Sequence, residues 1–236
     1  MQHRKIIVIG GISFVLAALA FVGVFSYLAA NFNYPDILDG SAADVLPRLR
    51  EGGPSMRAIW AIYAFLPLML LPGAVASYFA CPASRARMTL ALVAAALGAL
   101  SMCLGLMRWP SIHWVLAEAY LQAGAETKTG LAAVFHGLNV YLGNYIGEFL
   151  GETMLAVFFL LAGLSMRDEA RFPAWAGWAG IAFACLFQVG AFRNVSGAVQ
   201  FIADINNALL PLWLVVMGVL LVWYARDPQG KPAPQA

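Results

Sequence analysis

The sequence predicts an all-α fold: a polytopic membrane bundle of six transmembrane helices, with short interfacial helices in its two long outer loops. Three observations predict it. Hydrophobic residues make up 62% of the chain and charged residues 11%, against ~25% charged in an ordinary soluble domain. Six apolar segments are long enough to cross hydrocarbon, which takes ~20 helical residues. The basic residues gather at segment ends rather than in a patch. A net charge of +2 spread in this way excludes nucleic acid as a partner and leaves the lipid bilayer as the surroundings.

The spans are expected near 5–30, 57–80, 88–107, 142–165, 173–192 and 203–225, within a single domain covering 1–236. The first follows Gln2-His3-Arg4-Lys5, which resembles the start of a signal peptide. Its apolar run exceeds the usual ~7–15 residues and no small-residue cleavage site follows, so it reads as a retained helix. The first outer loop, 31–56, contains Ser41 with Asp44 three residues on, a capping-box-like helix start. Val45, Leu46 and Leu49 give that short helix an apolar face, although Pro47 threatens it beyond the first turn. Pro67 and Pro72 predict a kink in the second span.

The second outer loop, 108–130, opens on Arg108-Trp109-Pro110 and carries a helical apolar pattern over Ile112 to Leu121. Trp109 and Trp114 suit an interfacial aromatic belt. The fourth helix should begin near Leu131, outside the bilayer, and descend. The last segment, 227–236, reads as a flexible cytoplasmic tail.

Lysine and arginine placement sets orientation. With the N-terminus in the cytoplasm, eight cations fall inside (Arg4, Lys5, Arg85, Arg87, Arg167, Arg171, Arg226, Lys231) and six outside (Arg48, Arg50, Arg57, Arg108, Lys128, Arg193). The inside set crowds into very short loops. The expectation is a bacterial inner-membrane protein with both termini cytoplasmic.

The polar residues within this apolar background define the candidate site. On one helix, side chains four apart share a face. His136, Asn144, Glu148 and Glu152 then form one line, and Gly143, Gly147 and Gly151 form a second line beside it. The glycine line is a repeated G-x-x-x-G, which lets another helix approach closely. Gly177 and Gly180 with Ala184 suggest the same for the fifth span.

Two carboxylates on a membrane helix are costly unless they face protein or water. Taking Arg167 as the inner end and ~1.5 Å per residue, Glu152 lies roughly 22 Å and Glu148 roughly 28 Å above it. Gln188 and Arg193 at the end of the fifth span, and Asp204 and Asn207 at the start of the sixth, fall at a similar depth. The expected pocket therefore joins Asn144, Glu148, Glu152, Gln188, Arg193, Asp204 and Asn207, with His136 above it. Asp204 also suits a first-turn acid at a helix N-terminus, and the two glutamates have Arg193, Arg57 or Arg108 as ion-pair partners.

Other chemistries lack a motif. Cys81, Cys103 and Cys185 have no metal or disulfide spacing. Three histidines, with His3 on the opposite side, exclude a three-histidine zinc site. A metal or haem held by His113 and His136 is permitted by residue type alone. There is no G-x-S-x-G turn, P-loop or dinucleotide fingerprint. The sequence thus names no cofactor.

Three short stretches carry a family resemblance: Phe32-Asn33-Tyr34-Pro35-Asp36-Ile37-Leu38, Leu49-Arg50-Glu51-Gly52-Gly53, and Tyr141 to Gly151. They resemble a bacterial family of six-span membrane proteins defined by a domain of unknown function. The resemblance implies a six-helix bundle in the inner membrane and no activity. Members of that family often carry histidine after the glycine–glutamate pair, where this chain has Phe149.

The functional expectation is an outward-facing polar pocket that binds or transports a small polar or cationic ligand, with Glu148 as the charge partner. Two alternatives stand beside it. One is an accessory subunit of a larger membrane complex, docked on a protein partner or a second copy. The other is an intramembrane enzyme at the outer surface, using Glu148 and Glu152 as acid and base.

Overall fold

The computed structural model describes residues 2–226, so the expected tail at 227–236 lies outside the described residues. The helices are α1 (Gln2–Phe32), α2 (Ala42–Glu51), α3 (Gly53–Phe65), α4 (Leu70–Ala80), α5 (Arg85–Met107), α6 (Trp114–Gln122), α7 (Ala125–Leu138), α8 (Gly151–Asp168), α9 (Ala174–Ala191) and α10 (Gln200–Arg226). No strand occurs among the described residues. Continuous helix makes six segments long and apolar enough to cross a membrane: Gln2–Phe32, Gly53–Ala80, Pro82–Gln122, Ala125–Asp168, Ala174–Asn194 and Gly197–Arg226. Large apolar side chains such as Ile9, Leu19, Leu90 and Leu212 cover their outer faces, where lipid takes the place of water. The chain is a multi-pass membrane protein.

The third and fourth spans differ from the expected boundaries. The helix expected over Ile112 to Leu121 forms as α6, but it is not separate from the third span: α5 continues through a π-helical turn, Trp109–His113, into it. After two residues, α7 starts the return and runs through a second π-helical stretch, Asn139–Leu150, into α8. The third span is 41 residues. At ~1.5 Å per residue it is roughly 60 Å long, about twice the ~30 Å hydrocarbon core. The hairpin of α6 and α7 therefore projects beyond the bilayer. Pro110 lies at the join, where the winding changes from α to π; a proline cannot donate to the carbonyl one turn back, so it belongs where the regular pattern is interrupted.

The projecting hairpin packs on α2. Ser41 caps that helix by accepting from the Asp44 backbone N–H at 3.3 Å, and α2 continues through Pro47. Val45, Leu46 and Leu49 are fully buried against protein, in a cluster with Phe32, Trp60, Trp109, Trp114 and Phe135. The short helix is thus a lid on the bundle's end. Between α2 and α3, Gly53 turns the chain with φ of 62°, a left-handed conformation that costs glycine nothing.

Within the membrane, α3 and α4 are joined by a 3-10 turn, Leu66–Met69, that contains Pro67. This is the interruption that the prolines predict, and Ser13 of α1 donates to the Met69 carbonyl there at 2.7 Å. A second core joins Phe14 of α1, Phe158 and Phe159 of α8, Phe183 and Phe187 of α9, and Trp213 of α10. The row Gly143, Gly147 and Gly151 lies against α5, and a Cβ on Gly147 would fall 2.9 Å from the Gly105 Cα. Gly180 likewise lets α9 approach α8, where its Cβ would lie 3.2 Å from the Gly163 Cα.

Candidate functional site

The site is built where α5, the π-helical stretch Asn139–Leu150, α9 and α10 converge. A π-helix closes i to i+5 hydrogen bonds and is uncommon at this length. Its wider turn means that residues four apart no longer stack in one line. The expected line from His136 to Glu152 is therefore broken: His136 is exposed on α7, whereas Glu148 and Glu152 face the bundle.

Both glutamates converge on Arg193, which lies in a single 3-10 turn after α9. Its guanidinium donates to Glu152 Oε2 at 2.6 Å and Oε1 at 2.8 Å. It also pairs with Glu148 Oε2 at 3.0 Å. Asn194 reaches back with its side-chain amide, donating to Glu148 Oε2 at 2.9 Å and to the Asn144 carbonyl at 3.0 Å. Charge-assisted bonds of this kind are the strong ones in a low dielectric. The acids are thus already matched by a cation and an amide.

A second arginine has no such partner. Arg108 is 5% exposed. Its Nε donates to Asn139 Oδ1 at 3.1 Å and its Nη1 to the Gly105 carbonyl at 2.5 Å. Gly143 leaves the room: a Cβ there would collide with the guanidinium. Asn139 in turn donates to the Leu38 carbonyl at 3.1 Å, tying the segment between α1 and α2 to this cation. Arg108 makes no ion pair with any described carboxylate.

These groups line one cavity of about 130 Å³, with Arg108, Glu148, Glu152, Arg193, Asn206 and Asn207 on its polar side. The same measure needs only ~10–15 Å³ to hold one water. Phe21, Leu66, Leu70, Leu210 and Leu214 form its apolar wall. Tyr34 and Tyr63, whose hydroxyls lie 3.4 Å apart, sit at the boundary. Burial raises the Tyr34 phenol above its ordinary pKa, so it stays a neutral hydrogen-bonding group.

Of the residues expected in the pocket, Glu148, Glu152, Arg193 and Asn207 line this cavity. Asn144 contributes its backbone carbonyl to Asn194. Gln188 instead bonds Thr153 Oγ1 at 3.2 Å. Asp204 is exposed and accepts from Gln200 at 3.0 Å. These two and His136 do not line the cavity. Asn139, Asn194, Asn206 and the two tyrosines join the site without a place in the expected line, and Arg108, expected as an ion-pair partner of the glutamates, bonds Asn139 and the Gly105 carbonyl instead. Asn206 lies next to Asn207 in the sequence, but only the helix phase decides which side chain is buried.

The two histidines of this end lie in different surroundings. His113 is fully buried, with ring centroids 4.8 Å from Trp109 and 4.7 Å from Phe135. His136 is exposed. Among the described residues, no three His, Cys, Asp or Glu side chains group closely enough to hold a metal ion. Cys81 and Cys103 are buried free thiols and Cys185 is exposed.

A bundle of six helices long and apolar enough to cross a membrane, with a cavity lined in part by charged side chains, defines the class: a multi-pass membrane protein. The chain belongs to the family described as a domain of unknown function (DUF4386), which it matches over residues 9–218. No curated protein and no solved structure matches the chain.

Proposed function

We propose that the protein is a binding or transport-type membrane protein that takes a small amphipathic molecule with an acidic group into this cavity. The observation that carries the reading is Arg108, a buried cation in direct ion-pair contact with no described carboxylate, on the wall of a cavity that is otherwise mostly apolar. A desolvated guanidinium is costly unless something negative meets it, and its planar donors match a carboxylate or phosphate. The Phe21, Leu70 and Leu214 side suits the apolar body of the same molecule. The cationic ligand expected from the sequence has less support, because both acids are already engaged: Arg193 is shared between Glu148 and Glu152, and Asn194 also bonds Glu148. For the same reason the two acids are poorly placed to act as free acid and base.

The proposed setting is a bacterial inner membrane with the α1 start and the α10 end on the cytoplasmic side. The basic ends of α1, α5, α8 and α10 support it. On the other side Arg50 is paired with Glu118 at 2.8 Å and Arg193 with its two acids.

The test is extraction in neutral detergent followed by mass spectrometry of co-purifying small molecules. An acidic amphiphile should accompany the wild type and the Arg108→Lys variant, and should be lost from Arg108→Gln. A cationic ligand, or equal retention by Arg108→Gln, would overturn the reading.

A further inference from the structure

At the opposite end of the bundle from Arg193, a second cavity of about 300 Å³ opens among the ends of α1, α4, α5 and α10. Arg4, Arg85 and Arg171 line it, together with Tyr224, Phe79 and Ile7. Arg4 and Arg85 form no ion pair among the described residues. Arg171 has a long 3.6 Å contact to Glu169 and lies over the Tyr224 ring, 3.5 Å from its centroid. Tyr224 is 4% exposed, and its hydroxyl is buried without a hydrogen-bond partner.

We propose that this cavity binds the phosphate headgroup of an anionic phospholipid. Three arginines from three separate parts of the chain converge on one opening, and a phosphodiester matches guanidinium donors. Tyr224 supplies a neutral donor beside them, which a phosphate oxygen accepts. Ile7 and Phe79 put apolar surface next to the charges, at the level where acyl chains begin. Basic pockets between helix ends at the membrane surface hold anionic headgroups in this way. The site is independent of the Arg108 cavity and does not rest on the function proposed for it.

The test uses purified full-length protein in nanodiscs of phosphatidylcholine with and without phosphatidylglycerol, and counts bound lipids by native mass spectrometry. The wild type should retain phosphatidylglycerol over phosphatidylcholine. Each Arg→Gln change at Arg4, Arg85 or Arg171 should reduce that preference roughly five-fold, on the order expected for one surface cation. Tyr224→Phe keeps the ring under Arg171 and should also lower the preference while leaving the melting temperature unchanged. Equal retention of both lipids by the wild type, or an undiminished preference in the triple arginine variant, would overturn the assignment. Displacement of the lipid by millimolar inorganic phosphate would overturn it too, marking a site for a soluble anion.

Discussion

Arg193 holds Glu152 with both terminal nitrogens, at 2.6 and 2.8 Å, so that a residue just beyond α9 clamps the start of α8. The two side chains are only 17% and 14% exposed, which makes the pair interdependent. Removing one partner of a buried pair costs about 3–5 kcal/mol, because the other charge is stranded. Arg193→Met should therefore melt well below the wild type in detergent, and Glu152→Gln should fall less. The double variant should recover part of the Arg193→Met loss, Glu148 still lacking its cation, giving a coupling above about 1 kcal/mol in a double-mutant cycle. Additive effects would show that the clamp holds nothing together.

The glycine row makes a prediction of sign. Gly147 and Gly105 let α8's lead-in lie directly on α5, and a Cβ on Gly147 would meet the Gly105 Cα at 2.9 Å. Gly147→Ala should be destabilising by about 1–3 kcal/mol, the usual cost of overpacking. Gly137, on the exposed part of α7, has nothing within 4 Å of its would-be Cβ. Gly137→Ala should be neutral or gain up to ~1 kcal/mol from a less flexible unfolded chain. If thermal melts move the same way for both, proximity to α5 is not what keeps Gly147 small.

The span count and the lid helix were legible because they rest on local signals. Runs of apolar residues give the crossings, and Ser41 with Asp44 marks the start of α2. The pairing of Arg193 with the glutamates was also within reach, since depth along a helix follows from residue count. What was not legible follows from helix phase. Nothing in the local composition of Asn139–Leu150 announces π-helical winding, and that winding separates His136 from Glu148. Arg108 read as a loop residue because Trp109-Pro110 looks like a helix end, whereas the helix runs on through it. A usable signal existed: Gly143 is the small residue that makes room for a buried guanidinium.

Orientation yields a prediction about chemical labelling. If the basic helix ends face the cytoplasm, single cysteines at opposite ends of the third and fourth spans must label from opposite sides. In a background lacking Cys81, Cys103 and Cys185, Lys128→Cys near the start of α7 should react with an impermeant maleimide on intact cells. Ala86→Cys, near the start of α5, should react only after the membrane is opened. The reverse pattern would invert the bundle and move the Arg108 cavity to the cytoplasmic half.

His113 provides the test of whether the buried aromatic cluster hides a ligand site. Its two ring nitrogens are sealed with no hydrogen-bond partner, as are the Nε1 atoms of the neighbouring Trp60 and Trp109. An unsatisfied buried polar group costs about 1–3 kcal/mol, while an apolar group of similar shape avoids that cost. The ring sits between Trp109 and Phe135 at ordinary aromatic separations of 4.8 and 4.7 Å, so phenylalanine is close to the shape required. His113→Phe should melt at or above the wild-type temperature, with unchanged metal content by elemental analysis and an unchanged visible spectrum. A lower melting temperature together with a lost metal or haem signal would make His113 a ligand, and the cluster around it a cofactor site instead of packing.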